Sequence, residues 1–262
     1  MNDQAIRVII FISTLLICSL LEFKFKYRER ELKRSSRWLG NVGIVVSSTL
    51  LMKIATPFGL IYFCNFANSN SFGLFHLFEM NYFLEVILSI VILDLLIYFQ
   101  HRISHHYKFL WRIHRVHHAD VDLDATSALR FHPLEILLSF FYKAFWILLF
   151  GISIDSVFLF EIILSSMAIF NHSNLYLPPA LERLLRGFIV TPQMHIIHHS
   201  VMKNESDMNF GFNISLWDRV FKTYKKNFSS DGAIGQSYYR DPSSHKLFKL
   251  IGLPFKNENN LK

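Results

Sequence analysis

Eight histidines in three short clusters are the residues of this chain with the clearest capacity for chemistry. His101 and His105 lie four residues apart, and two H-x-x-H-H runs follow, made of His114, His117 and His118 and of His195, His198 and His199. Residues three and four apart on a helix share a face, so each cluster can direct several rings at one point. Neutral imidazole is the commonest metal ligand among side chains, so the clusters predict a metal site.

The number of histidines indicates two metal ions side by side, because eight ligands exceed the four of a tetrahedral zinc site. Imidazole suits iron, zinc, copper and nickel, so the ligand type does not identify the metal. His172, in Asn171-His172-Ser173-Asn174, is predicted as a ninth ligand in preference to a structural histidine. For His132, which precedes Pro133, three roles stay open: a ligand, a hydrogen-bond partner of a ligand or a helix-start residue. The last two are favoured.

The first cluster continues a stripe of polar residues. Asp94, Tyr98, His101 and His105 are spaced at offsets 0, 4, 7 and 11, which places them on one side of a helix with 3.6 residues per turn. An ionisable residue in an apolar stretch is a functional hypothesis by default, and metal-bound histidine usually donates its other N–H to a carboxylate or carbonyl. We therefore expect Asp94 to accept from a metal-binding histidine, with helix pairing as the alternative. Tyr98 and Asn174 are further candidate catalytic residues.

The elements that must position these clusters are membrane helices. The chain has 262 residues, 52% of them hydrophobic, with apolar segments at roughly 5–22, 40–64, 82–100, 134–150 and 152–170. A membrane-spanning helix needs about 20 apolar residues. The pattern predicts an all-α, multi-pass transmembrane helical bundle with a cytoplasmic histidine-rich helical cap. Lys53 and Pro57 suggest a kink in the second segment, the last two segments suggest a tight helical hairpin, and the first is interpreted as a retained anchor.

Charge distribution predicts which side the histidines occupy. Residues 24–37 hold seven Lys/Arg, residues 65–81 none, residues 101–131 five, and the part after 170 twelve. With five crossings, all the basic segments fall on one side, as the positive-inside rule requires of the cytoplasmic side. The net charge of +7 is therefore attributed to membrane orientation, and no nucleic acid partner is expected. Cys18 and Cys64 fall in apolar segments and are poor metal ligands.

Taken together in order, the histidine runs resemble those of the fatty acid hydroxylase / sterol desaturase superfamily over residues 82–224. Supporting segments are Phe131-His132-Pro133-x-Glu135, Asn171-His172-Ser173-Asn174, Asn209-Phe210-Gly211 and Leu216-Trp217-Asp218-Arg219-Val220-Phe221. Lys222 departs from the pattern, since the family usually has Gly there. The resemblance implies a non-haem membrane enzyme with two iron ions that uses O2 to hydroxylate or desaturate a lipid.

The chain then divides into residues 1–81, N-terminal transmembrane anchor helices; residues 82–224, the catalytic domain; and residues 225–262, a cytoplasmic C-terminal tail. We find no Gly-rich dinucleotide fingerprint and no c-type haem attachment motif. A separate electron donor is therefore expected at the basic cytoplasmic face, either a reductase or a carrier similar to cytochrome b5 or ferredoxin. The expected substrate is a membrane lipid, with sterol-like, fatty acyl and ether lipids all open.

Other functions fit parts of the pattern. A membrane metal-binding or transport protein without oxygenase activity is the main alternative, but transporters usually place polar ligands near mid-membrane, whereas these clusters lie at one edge. A cytochrome with a bis-histidine haem leaves most of the histidines unexplained, and a non-catalytic relative that keeps the histidines stays open. Between hydroxylation and desaturation, which begin with the same hydrogen abstraction, hydroxylation is preferred.

Overall fold

The computed structural model describes residues 3–256, which form helices and connecting loops without a β-strand. In chain order, the α-helices of this part of the chain are α1 (Asp3–Lys24), α2 (Arg34–Ala55), α3 (Gly59–Ser69), α4 (Tyr82–His106), α5 (Lys108–His114), α6 (Pro133–Phe150), α7 (Ile154–His172), α8 (Pro179–Leu185), α9 (Pro192–His198), α10 (Lys203–Ser206), α11 (Leu216–Val220) and α12 (Leu247–Gly252). The predicted all-α architecture is confirmed.

Five helices, α1, α2, α4, α6 and α7, are long and apolar enough to cross a membrane. Many of their large apolar side chains face outward, including Leu20 (67% exposed), Ile54 (80%) and Phe83 (76%). Contiguous exposed apolar surface of this kind is rare on soluble proteins and is what the hydrocarbon core of a bilayer requires. The number of predicted spans is confirmed.

The second span does not follow its predicted bounds. The segment predicted at 40–64 is two helices, α2 and α3, separated at Thr56-Pro57-Phe58. Proline has no N–H to donate and disfavours helical geometry in the residue before it, and Thr56 accordingly has φ −138° and ψ 57°. The spanning helix begins earlier, at Arg34, and α3 is a separate 11-residue helix that packs on α6.

Helix α7 is central to the bundle and contacts α1, α4, α3 and α9. The apolar core beside it is formed by buried side chains from α1, α3, α4, α6 and α7, among them Leu93, Phe140, Ile147, Phe160 and Ile169. This core continues to Phe212 in the loop between α10 and α11. The membrane helices and the loops that carry the histidines are therefore packed as one body.

The turn between α6 and α7 confirms the predicted helical hairpin. Helix α6 ends at Gly151 with φ +72°, a left-handed conformation that glycine adopts without strain. Ser153 then caps α7 by accepting from the N–H of Ser156. Gly73, in the loop before α4, lies so close that a Cβ on it would be 2.3 Å from the nitrogen of Gly151. Glycine at these two positions thus lets the loops at this end of the bundle meet.

The C-terminal segment packs on the histidine-bearing end of the bundle. Tyr239, Leu250 and Leu253 form a core cluster with Ile44 of α2 and Val116. The guanidiniums of Arg112 and Arg115 donate to carbonyls at the end of this segment, those of Leu253, Pro254 and Lys256. Residues 225–256 are thus an integral part of the fold. Residues 1–2 of the predicted anchor domain and 257–262 of the predicted tail lie outside the described residues.

Candidate metal centre

The nine predicted histidines come from four parts of the chain that meet at one end of the bundle. His101 and His105 lie in the last turns of α4, His114 ends α5, and His117 and His118 form a short 3-10 turn directly after it. His172 is the last residue of α7. Helix α9, which Thr191 caps with its side chain and Pro192 begins, carries His195 and His198, and His199 follows. As predicted, α4 extends past its apolar stretch to carry two of the rings.

The structure divides these histidines into two groups. Within each group one ring nitrogen per histidine lies within 4.8 Å of all the others, and every ring is buried. The five-histidine group comprises His101, His105, His114, His118 and His198. The four-histidine group comprises His117, His172, His195 and His199.

Each H-x-x-H-H run contributes to both groups. The first and last histidines of a run are four residues apart, share a face and enter the same group, whereas the middle histidine enters the other. Thus His117, the middle histidine of the first run, lies in the same group as His195 and His199. His198, the middle histidine of the second run, lies in the same group as His114 and His118. This exchange explains why both runs are needed to complete either group.

The ring nitrogens of the groups fit bound cations. His172 donates from Nδ1 to the carbonyl of Ala168 at 2.7 Å, so its Nε2 carries a lone pair; that Nε2 lies 2.9 Å from Nε2 of His117 and 3.1 Å from Nε2 of His195. In the five-histidine group, Nε2 of His101, His114 and His198 is buried without a hydrogen-bond partner. A buried polar atom without a partner is rare, and a metal ion at the centre of each group would satisfy these lone pairs.

Hydrogen bonds at Nδ1 orient the rings of the five-histidine group. His101 donates to the carbonyl of Phe210 and His198 to that of Met208, each at 2.8 Å. His114 lies 2.6 Å from Oε1 of Glu135 and His105 lies 3.3 Å from Oδ1 of Asp207. Such partners fix the tautomer and direction of a metal-binding imidazole. In the four-histidine group, by contrast, Nδ1 of His117, His195 and His199 has no hydrogen-bond partner within the described chain.

Burial keeps the rings uncharged. Together with neighbouring imidazoles, it lowers the pKa of His117, His118, His195 and His199 well below the ordinary value. Burial also lowers the pKa of His198 to about 3. Metal binding requires neutral imidazole, so these rings are in the binding form at neutral pH without losing a proton.

The predicted contact of Asp94 with a histidine is wrong. Its carboxylate accepts from the N–H groups of Asn213 and Ile214, at 3.3 and 3.1 Å, and from the indole of Trp217 at 2.8 Å. One turn along the same stripe, the Tyr98 hydroxyl is 2.8 Å from that of Thr223. The spacing gave the helix face correctly but not the partner, because a loop from a distant part of the chain occupies that face.

Asn174 also binds a loop. Its side chain accepts from the N–H of Arg28 and donates to the Arg28 carbonyl, both at 2.9 Å, which attaches the α1–α2 connection to the end of α7. His132 caps α6 by accepting from the N–H of Leu134, and its Nε2 faces the carbonyl of Ile251. This is the helix-start role favoured for His132, and the ring belongs to neither histidine group.

Three acidic residues that support the site had no assigned role from the sequence. Glu135 and Asp207 contact ligand-forming rings, and Asp218 accepts from the N–H groups of Phe210 and Gly211 at 2.8 and 2.9 Å. A Cβ at Gly211 would lie 2.8 Å from the carboxylate of Asp218, so a larger residue there would displace this carboxylate. The segments that contain Glu135, Gly211 and Asp218 were noticed in the sequence, but only the fold brings Asp207 beside His105.

Lys222, the residue that departs from the family pattern, has φ +59°. This left-handed conformation favours glycine, which gives a physical reason for the usual residue at this position. The N–H of the next residue, Thr223, donates to the backbone carbonyl of Asp218. The turn therefore keeps its form with lysine in place of glycine.

A buried ion cluster lies immediately beyond the first H-x-x-H-H run, which ends at His118. It consists of Arg37, Asp120, Asp122, Asp124 and Arg130, all at most 5% exposed. Arg37 of α2 pairs with Asp120 at 2.7 Å and with Asp124, and Arg130 lies 3.4 Å from Asp120. Although burial alone raises the pKa of Asp120, the two guanidiniums hold it well below its usual value. The cluster attaches α2 to the chain that carries His117 and His118.

Comparison with known proteins gives a consistent result. The family model described as fatty acid hydroxylase matches residues 86–223. The chain is 26% identical over 140 residues to an ornithine lipid hydroxylase of Rhizobium tropici, covering 53% of this chain and 41% of the relative. It is 30% identical over 142 residues to sphinganine C4-monooxygenase 1 of Arabidopsis thaliana, covering 53% and 54%.

A third relative is human lathosterol oxidase, which is 26% identical over 178 residues, covering 66% of this chain and 57% of the relative. The chain spans about half the length of the curated relatives it matches. No solved structure matches it. Every predicted metal-binding histidine lies within the matched range.

Proposed function

Because this chain belongs to the fatty acid hydroxylase family, we propose that it is an O2-dependent membrane oxidoreductase that hydroxylates a lipid C–H bond. The single observation that carries the proposal is the convergence of nine buried imidazoles into two groups, each with its ring nitrogens within 4.8 Å. One such group is sufficient for a structural metal. Two adjacent groups at the end of membrane-spanning helices suit a pair of redox metals beside a lipid substrate.

The proposed cofactor is a pair of iron ions. His101, His105, His114, His118 and His198 would hold one ion, and His117, His172, His195 and His199 the other. When bound, the iron pair supplies the redox chemistry of O2, which no side-chain acid, base or nucleophile can supply. The histidines contribute neutral donor atoms in fixed directions, and Glu135 and Asp207 hold two of the rings by their Nδ1 atoms.

The approach of the lipid is proposed to be from the apolar core of the bundle. The ring of Phe131 stacks on His117 with centroids 4.2 Å apart, and Phe212 lies within 6.5 Å of both His101 and His195. Phe212 belongs to the apolar core cluster between the membrane helices, and Phe131 packs against this cluster. They form an apolar boundary that excludes water from the histidines and is compatible with an acyl chain or a sterol ring.

The relatives favour a lipid substrate but differ in which one. The names of the three relatives described above specify ornithine lipid, sphinganine and lathosterol. A common lipid headgroup is therefore not implied, and we propose a lipid substrate without choosing between sterol-like, fatty acyl and ether lipids. The hydroxylase and monooxygenase names support hydroxylation over desaturation.

The chain is an integral membrane protein with five helices capable of spanning the bilayer. We propose that the histidine end faces the cytoplasm, because the Lys/Arg-rich segments lie at that end and residues 65–81 carry none. Electrons would then come from a separate cytoplasmic donor. A metal transporter would place its ligands near mid-membrane, and the position of both groups at the ends of α4 and α7 favours the oxygenase.

Isotope labelling tests the proposed reaction. Membrane lipids from cells that express the chain under 18O2 are expected to contain a new hydroxyl group with one 18O atom. The His199→Ala variant, at equal abundance in the membrane, is the matched control and should give none. A new lipid double bond without 18O would establish desaturation instead. Metal uptake by vesicles without any oxidised lipid would support the transport alternative and contradict the proposal.

A further inference from the structure

His105 connects the five-histidine group to the protein surface. Its Nε2 lies 3.1 Å from Nε2 of His118, inside the group, while its Nδ1 faces Oδ1 of Asp207 at 3.3 Å. The side chain of Asp207 is 40% exposed, whereas Glu135, the carboxylate on His114, is 13% exposed. The ring of His105 therefore lies between the other histidines of this group and a solvent-exposed carboxylate.

Exposed apolar and basic residues lie beside His105 at the end of α4 and beside Asp207 in the segment 202–207. Tyr107 (59% exposed) and Met202 (47% exposed) supply the apolar part. We define the His105 surface as these two residues, Asp207, and the exposed basic residues Arg102, His106, Lys108 and Lys203.

Contacts between two segments hold the His105 surface together. The N–H of Asp207 donates to the carbonyl of Lys203 at 2.9 Å, and the side chains of Lys203 and His106 lie close enough to act electrostatically on the Asp207 carboxylate. Arg102 lies one turn before His106 on α4 and so shares its face. The end of α4 and the segment 202–207 thus meet at the contact between His105 and Asp207.

This composition is that of a transient docking site. Tyrosine, methionine and arginine are enriched in protein interfaces, and electron-transfer encounters use small contact areas. The exposed basic residues of this surface attract an acidic partner and raise the rate of encounter without requiring tight binding. Asp207 of this surface lies 3.3 Å from Nδ1 of His105, so a partner that docks there comes close to one ring of the five-histidine group.

We propose that the His105 surface docks an acidic protein that carries one electron, and that electrons enter the metal centre through His105. The inference rests on the proposed oxygenase function. Hydroxylation of one C–H bond by O2 consumes two electrons and two protons, and yields one hydroxyl group and one water. Two carrier molecules, each oxidised by one electron, supply the two electrons in succession.

Anaerobic stopped-flow reduction of the oxidised, iron-loaded protein tests the proposal without substrate or turnover. The probe is a reduced plant-type [2Fe–2S] ferredoxin, an acidic one-electron carrier, and its oxidation is followed by absorbance. The double charge reversal Lys108→Glu/Lys203→Glu is expected to lower the second-order rate constant at least about tenfold at low ionic strength. Added salt should slow the wild type and narrow this difference.

The matched control is Lys33→Glu/Lys249→Glu, which changes the net charge equally at exposed lysines outside the His105 surface. It should react at nearly the wild-type rate, and dithionite, a small reductant, should reduce all three proteins alike. Any of three results would overturn the docking proposal alone. The first is that the control pair slows the reaction equally, the second is that the Lys108/Lys203 pair does not slow it, and the third is that the wild type does not react with ferredoxin. A protein without iron, or one that dithionite does not reduce, would overturn the proposed function as well.

Discussion

Two buried polar regions lie next to each other in this protein and satisfy their polar atoms in opposite ways. In the ion cluster, three carboxylates meet two guanidiniums, and Asp122 also accepts from the N–H groups of Glu31 and Leu32. In the histidine groups, ring nitrogens with lone pairs face one another, and several have no hydrogen-bond partner. The ion cluster pairs opposite charges within the chain, whereas the neutral histidine groups contain no opposite charge and need a cation.

The difference separates a structural role from a functional one. Burying charge is costly unless partners compensate for it, so the ion cluster has compensating partners and stabilises the fold. Several lone pairs of the histidine groups have no partner within the described part of the chain. Burying them costs less than burying a charge because the rings are neutral, and the arrangement has a function only if a ligand binds to them. Substitutions in the two regions should therefore have different consequences, although Asp120 is only two residues from His118.

The largest effect on activity is expected in the histidine groups. His117→Ala removes one of four ligands in its group and should reduce lipid oxidation to background. Because a neutral ring without a compensating charge is removed, the protein should still fold and insert into the membrane. Activity, iron content and detergent-extracted yield should be measured together. Turnover close to that of the wild type would show that His117 is not a ligand.

The largest effect on stability is expected in the ion cluster. Arg37→Ala leaves buried carboxylates without their main partner and should lower the free energy of unfolding by about 3–5 kcal/mol. Thermal unfolding in detergent is the measurement, with Lys33→Ala as the control, because Lys33 is an exposed basic residue directly before α2. If the Arg37→Ala variant has the same unfolding temperature as the wild type but loses its metal, the two regions do not differ as described.

An intermediate effect is expected at Glu135, which contacts His114 but lies outside the ring of ligands. Glu135→Ala should weaken metal binding at the five-histidine group by roughly 10–100-fold, and Glu135→Gln, which can still accept a hydrogen bond, should weaken it less. Competition with a chelator under anaerobic conditions measures this. Unchanged metal affinity in both variants would mean that His114 is oriented by packing alone.

The smallest effect per residue is expected from pH. For the metal-free protein, the folded pKa of His198, about 3, lies below an unfolded value near 6.5. The unfolded state therefore binds the proton first, so stability is complete above pH ~6.5 and falls as pH decreases. Protonation of His198 should lower the free energy of unfolding by about 2 kcal/mol by pH ~5. Asp120, whose pKa is low in the folded state, should destabilise the fold only as the pH falls below its unfolded pKa near ~4.

Thermal unfolding of metal-free protein between pH 7.5 and 5 measures this loss. His198→Gln removes one titrating ring, so its stability should decline less with acid than that of the wild type. An equal decline in both proteins would contradict a neutral, buried His198.

The nine histidines were predictable because ligand chemistry leaves a dense local pattern. Metal ligands must be a particular residue type, and helical spacing of three and four places them on shared faces. The spans were predictable from composition for a similar reason, since the bilayer imposes a length. Even His172, which stands alone in sequence, was found from its position at the end of a predicted span.

The contacts that complete the site were not predictable in the same way. Asp94 was placed on the correct face, but its partners Asn213, Ile214 and Trp217 lie about 120 positions away in the chain. Likewise, Arg37 joins the ion cluster from outside the family-matched region. Periodicity identifies a face and a residue type, whereas pairing between distant segments depends on the whole fold.

The most direct test of the two-group metal centre is the iron content of anaerobically purified protein, with its absorbance spectrum and Mössbauer signal. The proposed function predicts two iron ions per chain and no haem absorbance. The two sites should be distinguishable, because one group has five imidazoles and the other four. One iron per chain at saturation, or zinc in place of iron with no redox signal, would contradict the account.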